Sequence, residues 1–354
     1  MGIGPLTGWL RMRLGVVVLA VVCVLPAFDV PAHAIVGGAP AKRADFPFFT
    51  VVGSGCGGSL VTPRRVLTAA HCLERASTHR VVSVGPRNVR RKVVRIAIHP
   101  VHLRAQARQQ REFPPPIADV MILDLSRPVH GVPLARLATK DADAAGNVAI
   151  TIGRGATDPR SDGAGAAPFK AGAVGVLADA DCASLRTATE RRWSLCARDP
   201  RAADPLARSP FTSACVGDSG GPLLVGGAIV GTVSWGPACG AERDAEVYAS
   251  TIATRDFILA AKPVWRPELR GVPRLRGNLR VGAVVHCSYG WRVRPKREEV
   301  TFAIGGRVVQ ERRRTRFRLR RKDAGKPVFC AVGGSGRGGV TGGTSPARRV
   351  ARRV

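Results

Sequence analysis

The chain has 354 residues, which is longer than one ordinary domain and predicts two. A hydrophobic content of 45% is enough to build packed cores and excludes a wholly disordered chain. The formal net charge of +30 concerns partners and solubility and does not select a fold.

Residues 1–34 predict a signal peptide. A short basic region at Arg11 precedes an apolar run over residues 14–25, which is too short for a comfortable membrane span. The small residues Ala32 and Ala34 favour cleavage after Ala34. An uncleaved N-terminal anchor is the alternative. We expect no transmembrane segment in the mature chain, because no later stretch is long and apolar enough.

The nine cysteines are spread singly, without the clustering of metal sites, so we predict neither a metal nor a cofactor. Such spacing predicts a disulfide framework in an oxidising compartment. Cys23 lies in the apolar run and would leave with the signal peptide. The other eight can all pair, but the sequence does not choose among the pairings.

Residues 35–262 predict an all-β fold, either a sandwich or barrels, because short apolar runs alternate with glycine, proline and aspartate. One helix is predicted after Thr251, with Asp256 near its start. Residues 263–272 predict a linker, since the stretch around them contains three prolines.

The remainder predicts a small, very basic β domain over residues 273–345 and a basic tail over 346–354. Residues 265–354 contain 24 Lys/Arg against 5 Asp/Glu. The Gly-, Ser- and Arg-rich stretch 333–354 favours mobility. Arg316, Arg318 and Arg320 occupy every second position, as residues on one face of a strand do. Such a basic face could bind nucleic acid, an anionic polymer or an anionic cell surface. Solvated charge is the alternative, and no nucleic-acid motif accompanies these arginines.

The strongest chemical motif is Gly-Asp-Ser-Gly-Gly-Pro at residues 217–222. A serine hydroxyl needs a base before it can act as a nucleophile, and the glycines leave room for substrate. They also let backbone N–H groups point at a developing oxyanion. We therefore predict Ser219 as nucleophile; a glycine-rich turn with an incidental serine is the alternative.

The predicted base is His71, which small residues flank and which Cys72 can tether. The other histidines have no special setting. The predicted orienting carboxylate is Asp119, because a lone charge entering a buried apolar run needs a partner. Asp124 is the competitor, but we expect it at a turn at the opposite end of that run.

With Ile-Val-Gly-Gly at residues 35–38, these motifs resemble the trypsin/chymotrypsin family of serine proteases over residues 35 to about 262. The resemblance implies two six-stranded antiparallel β-barrels with the site in the cleft between them. It implies that His71, Asp119 and Ser219 form a catalytic triad acting on protein or peptide substrates through an acyl-enzyme. The N–H groups of Gly217 and Ser219 would form the oxyanion hole.

The resemblance also implies the first three of four disulfides, which leaves the last for the second domain: Cys56–Cys72, Cys182–Cys196, Cys215–Cys239 and Cys287–Cys330. It further implies that a free amino group at Ile35 pairs with Asp218 to organise the site. Because Ala34 precedes Ile35, we hypothesise that export itself creates the active N-terminus. A short propeptide removed by another protease is the alternative.

The residues expected to set substrate specificity differ from those of trypsin-like enzymes. Ser213 stands where trypsin-like enzymes carry an aspartate at the floor of the primary pocket, and Glu246 stands where a glycine usually lines it. Glu246 could attract a basic side chain while admitting an aromatic one, fill the pocket and favour small residues, or turn to solvent, since burying an unpaired carboxylate is costly. Ser234, Trp235 and Gly236 would pair with the substrate backbone as an added strand.

Residues 273–345 resemble the Ig-like domains appended to bacterial secreted and surface proteins. The resemblance is carried by Gly-Asn-Leu-Arg-Val-Gly at 277–282, Cys287 with Gly-Trp at 290–291, and Asp-Ala-Gly-Lys at 323–326 before Cys330. Phe302 stands where a tryptophan is usual, and Val328 where a tyrosine is. We predict a secreted serine endopeptidase overall; a binding protein that keeps the protease fold as a scaffold is the alternative.

Overall fold

The computed structural model describes residues 35–108, 116–156, 168–237, 239–240, 243–260, 262–310 and 314–351. The predicted signal peptide and its cleavage position at Ala34 lie outside the described residues. Within those ranges, no helix combines the length and the apolar character that crossing a bilayer requires.

The first half of the protease region forms a closed barrel. Its elements in chain order are β1 Ala39–Pro40, β2 Phe49–Val52, β3 Cys56–Thr62, β4 Arg65–Thr68, α1 Leu73–His79, β5 Val81–Val84, β6 Val89–Ile98, α2 Pro100–Arg108, β7 Met121–Leu125 and β8 Arg136–Leu137. The barrel order is β2-β3-β4-β7-β6-β5, and every pair is antiparallel. Fully buried Leu60, Leu67 and Leu123 fill its core.

The second half of the protease region also forms a closed barrel. Its elements are β9 Val148–Gly153, β10 Lys170–Val176, α3 Ala188–Arg191, β11 Ser194–Arg198, β12 Pro222–Val225, β13 Ala228–Trp235, β14 Glu246–Ser250 and α4 Arg255–Leu259. The six strands form a ring because β9 pairs with both β10 and β12. The prediction of an all-β fold with two six-stranded barrels is therefore confirmed. The helix expected after Thr251 is α4, which buries Ile258 against the core of the first barrel.

The C-terminal residues form two facing sheets and a short ribbon. Their strands are β15 Glu268–Leu269, β16 Arg274–Arg276, β17 Val284–Ser288, β18 Trp291–Val293, β19 Arg297–Ile304, β20 Arg307–Gln310, β21 Arg316–Arg318, β22 Pro327–Gly336, β23 Gly339–Thr344 and β24 Arg348–Arg349. The sheets are β16-β17-β21 and β20-β19-β22-β23 with β24 added to β22, and β15 pairs with β18. The buried rings of Phe302 and Phe317 stack at 5.7 Å between the two sheets.

The expected mobility of residues 333–354 is wrong for most of that stretch. Residues up to Gly336 continue β22, and β23 pairs back along them. Glycine lowers the intrinsic preference for a strand. It is nevertheless found in strands where another group packs closely against the backbone and leaves no room for a side chain. Gly334 is such a position, since an added Cβ there would lie 2.4 Å from the ring of Trp291.

The residues predicted as a linker are held against the first barrel. The N–H of Arg266 donates to the carbonyl of Ile96 at 2.6 Å. The Arg95 guanidinium lies over the ring of Trp265, 4.4 Å from its centroid. Glu268 pairs with Arg80 at 2.6 Å. These contacts join the first barrel to the C-terminal sheets.

Candidate active site

His71 and Asp119 are brought together by the first barrel. His71 lies in a single 3₁₀ turn between β4 and α1, and Asp119 lies two residues before the start of β7. Because β4 and β7 are neighbours, the two residues meet. The His71 Nδ1 lies 2.7 Å from one carboxylate oxygen of Asp119, and the His71 backbone N–H donates to the other at 2.9 Å. This double contact sets both the position and the ring orientation of the histidine.

The electrostatics of this pair favour an ionised carboxylate beside a basic imidazole. Burial acts to lower the pKa of His71, but the charge of Asp119 and its hydrogen bond outweigh burial and raise it above its usual value. Burial acts to raise the pKa of Asp119, whereas His71 and the Ser234 hydroxyl, 2.6 Å from Oδ2, lower it to about 2. The His71 side chain remains 34% exposed, so its ring can be reached from solvent.

A third polar residue, which the sequence did not single out, lies near this pair. His102 on α2 is buried and its Nδ1 contacts the carbonyl of Ile117 at 3.0 Å. The charge of Asp119 raises the pKa of His102, although burial lowers it more. The position of His102 beside Asp119 depends on where α2 packs, which no local motif indicates.

Ser219 lies in the turn that precedes β12, and glycine contacts fix that turn against the first barrel. The carbonyl of Ser219 accepts a hydrogen bond from the N–H of Gly57 at 2.8 Å. Gly220 has a φ of +77°, and an added Cβ there would lie 2.2 Å from the hydroxyl of Thr68. Among the described residues, the hydroxyl of Ser219 makes no hydrogen bond to the His71 ring.

The competing carboxylate, Asp124, does not lie at a turn as predicted. It is the fourth residue of β7, is buried, and pairs with Arg95 on the adjacent strand at 2.6 Å. Arg95 and Asp124 are direct cross-strand partners. The register of β6 against β7 therefore gives Asp124 a partner other than His71.

Asp218 is fully buried beside Ile35. Burial raises the pKa of its carboxyl to about 6, although backbone N–H groups that include that of Ile35 donate to it. The N–H of Gly155 donates to Oδ1 at 2.7 Å and that of Cys215 to Oδ2 at 3.0 Å. Ile35 is itself completely buried. The structure thus brings together the two residues that the resemblance pairs.

Ser213 and Glu246 form a buried polar pair near this segment. The Ser213 hydroxyl donates to Oε1 of Glu246 at 2.5 Å. The other carboxylate oxygen lies against Gly236, where an added Cβ would be 1.8 Å away. Burial raises the pKa of Glu246 to about 7; the hydrogen bond from Ser213 opposes this, and the charges of Asp218 and Asp244 reinforce it. Glu246 is only 6% exposed, so the alternative that it turns to solvent is excluded.

The substrate-strand candidates lie at the end of β13. Ser234 and Trp235 belong to this strand and Gly236 follows it. Ser234 faces inward to Asp119, as described above, and Gly236 is exposed. Gly217, the other residue expected at the oxyanion hole, has a φ of +99° and packs against Gly155.

Four disulfides lie within the described ranges and tie the site loops and the C-terminal sheets: Cys56–Cys72, Cys182–Cys196, Cys215–Cys239 and Cys287–Cys330. The first holds the turn that carries His71, and the third closes the loop that carries Ser219. The fourth joins β17 of one C-terminal sheet to β22 of the other.

Comparison with known proteins agrees with this architecture. The family model described as Trypsin matches residues 35–258. The chain is 31% identical over 238 residues to a trypsin from Saccharopolyspora erythraea, covering 64% of this chain and 96% of that protein. It is 29% identical to trypsin iota from Drosophila melanogaster, covering 58% of this chain and 78% of that protein, and 28% identical to human kallikrein-15, covering 51% and 70%.

The chain therefore belongs to the trypsin family. It is a serine endopeptidase, and its substrates are proteins.

Proposed function

We propose that this endopeptidase acts through a triad of His71, Asp119 and Ser219. The observation that carries the proposal is the pair of contacts from Asp119 to the Nδ1 and the backbone N–H of His71. In this mechanism the His71 ring takes the proton of the Ser219 hydroxyl as its oxygen attacks the substrate carbonyl. The same proton then passes to the leaving amine, and water hydrolyses the acyl-enzyme. The N–H groups of Gly217 and Ser219 stabilise the oxyanion.

We also propose that the protein is secreted and becomes active when its chain begins at Ile35. The N–H of Ile35 already reaches Asp218 in the continuous chain. A free α-ammonium group at this position would place a positive charge beside a buried carboxylate, which favours ionisation of Asp218 and orders the adjacent turn. Cleavage after Ala34 by the export machinery would supply that group without a further protease.

Labelling of the secreted protein with a fluorophosphonate, followed by N-terminal sequencing, tests both proposals. We expect one label per chain, located on the peptide that contains Ser219, and a labelled species that begins at Ile35. Absence of label from the well-folded protein would contradict the triad. A labelled species with a different N-terminus would contradict only the maturation step.

We further propose that Glu246 reads the side chain at the P1 position of the substrate. Its carboxylate lies between Ser213, at the position that the resemblance assigns to the floor of the primary pocket, and Gly236, which we expect beside the substrate backbone. An ionised Glu246 would pair with an arginine or lysine at P1, whereas a protonated one would accept an aromatic ring without leaving a charge buried. The enzyme would thus have a mixed basic and aromatic preference.

We expect the Glu246→Gln variant to lower the ratio of kcat/KM for P1 arginine over P1 phenylalanine by about a hundredfold at pH 8. In the wild-type enzyme this ratio should rise with pH through about 7, where Glu246 ionises. In the variant it should be flat. A matched peptide series measured from pH 5.5 to 9 gives both results.

The control is Asp181→Asn, which removes an exposed carboxylate that is not among the charges acting on Glu246 and should leave the ratio and its pH dependence unchanged. An unchanged ratio in Glu246→Gln would show that Glu246 does not read P1. The pocket-filling alternative would instead be supported if the wild-type enzyme prefers small P1 residues and the Glu246→Gly variant also accepts larger ones.

For residues 273–345 we propose an Ig-like sandwich. Support comes from the two facing sheets, the disulfide that joins them and the buried Phe302 in place of the usual tryptophan. On β21, exposed Arg316 and Arg318 flank buried Phe317, which leaves a basic edge suited to an anionic polymer or cell surface.

A further inference from the structure

A cavity of about 330 Å³ lies where the first barrel meets the C-terminal sheets. We call it the junction pocket. Its wall combines the end of α1, β6, residues 266–271, and one residue each from β18 and β23. The pocket is separate from the triad residues and from Glu246, none of which lines it.

The lining is strongly cationic. It contains four arginines and one carboxylate: Arg80, Arg266, Arg270, Arg292 and Glu268. Glu268 is already engaged, since its two oxygens lie 2.6 and 3.0 Å from the terminal nitrogens of Arg80. Arg292 approaches the same carboxylate at 3.4 Å. One carboxylate neutralises one guanidinium, so the pocket keeps an excess of three positive charges.

Arg266 and Arg270 are held in place, but among the described residues neither guanidinium forms a salt bridge. Arg266 is anchored through its backbone N–H to Ile96, and Arg270 through its Nε to the carbonyl of Trp291 at 3.0 Å. Burial lowers the pKa of the Arg266 guanidinium, and the charge of Glu268 only partly opposes this. Because a guanidinium stays charged in proteins, partial burial without a full counter-charge is unfavourable.

The lining also offers neutral donors. Ser77 on α1 belongs to it, and the Ser77 hydroxyl has no hydrogen-bond partner among the described residues. Thr341 contributes a second hydroxyl from β23. Several guanidinium groups with hydroxyl donors are the usual set that recognises phosphate oxygens, because the planar guanidinium matches two oxygens at once.

We propose that the junction pocket binds a phosphate-bearing anion, with Arg266, Arg270 and Arg292 as its cationic contacts. The volume is near the lower end for small-ligand sites, so it suits a group of diphosphate size and not a long threaded polymer. The anion supplies the missing counter-charge. Because both the barrel and the C-terminal sheets contribute arginines, bound anion also holds these two parts together.

The test is thermal unfolding of the full mature chain with inorganic pyrophosphate at constant ionic strength. A ligand that binds only the folded state stabilises it by mass action. We expect Tm to rise by about 5 °C at a concentration a hundred times Kd. Calorimetric titration should give one pyrophosphate per chain.

The test variant is Arg266→Gln with Arg270→Gln, which leaves the Arg80–Glu268 pair intact and should lose the Tm rise. Its matched control is Arg274→Gln with Arg276→Gln, two exposed arginines on β16 that lose the same charge and should keep the rise. An equal rise in both variants, or none in the wild-type chain, would overturn the proposal. If the test variant fails to fold, Arg292→Gln should still weaken pyrophosphate binding by at least tenfold in the titration; unchanged binding would also overturn it.

Repeating the unfolding measurement with long-chain polyphosphate distinguishes whether the junction pocket binds a free phosphate-bearing anion or the phosphate end of a polymer. If the pocket takes the phosphate end of a chain, polyphosphate should raise Tm in the control variant, and pyrophosphate should compete with it. A rise of equal size in the test variant would show that polyphosphate binds only along the exposed arginines, against the pocket.

Discussion

Replacing Ser219 with alanine should reduce hydrolysis of casein and of short peptides by about 10⁶-fold. The variant keeps the His71–Asp119 pair and the disulfide loop between Cys215 and Cys239, so it should fold and still bind substrate. What it loses is the oxygen that forms the acyl-enzyme in the proposed mechanism. Steady-state rates and KM, measured on the same preparation, separate lost chemistry from lost binding.

The control for this variant is Ser54→Ala, an exposed serine in the loop between β2 and β3, which should keep full activity. Casein hydrolysis that survives in Ser219→Ala, after repurification, would remove Ser219 from the mechanism. If neither the wild-type chain nor the variant cleaves any peptide, the protein is a scaffold that binds without catalysis.

Replacing Asp119 with asparagine should lower kcat by about 10⁴-fold. The carboxylate accepts from the Nδ1 of His71 at 2.7 Å; an amide there would turn its NH₂ group toward the ring and favour the wrong tautomer. Loss of the negative charge should also lower the pKa of His71, because Asp119 is what raises it. The acidic limb of the pH profile of kcat/KM should therefore move to lower pH.

The matched variant is Asp124→Asn, the other carboxylate of the same segment. Asp124 pairs with Arg95, so this change should lower the free energy of unfolding while leaving the pH profile in place. A similar loss of kcat in the two variants, with no shift of the profile in Asp119→Asn, would mean that Asp119 only stabilises the fold.

Much of this protein was predictable from short motifs. The glycines around Ser219, the small residues around His71 and the isolated charge at Asp119 match the local requirements of nucleophilic catalysis, so this candidate site is visible without coordinates. The short apolar runs broken by glycine, proline and aspartate indicated β-structure, because short buried strands are bounded by turn residues. The number and spacing of cysteines likewise indicated a disulfide framework.

Other features depended on which strands are neighbours. The register of β6 against β7 pairs Asp124 with Arg95 and so removes it from competition for His71. Pairing with β23 converts the Gly-rich stretch after Cys330 into a strand, against its intrinsic preference. The packing of β14 against Ser213 turns Glu246 inward. The sequence by itself indicated the class of enzyme and the candidate catalytic residues, because these lie in short local motifs. Only the tertiary structure decided which distant charges share a pocket, because those contacts are set by strand register and by the packing of separate parts of the chain.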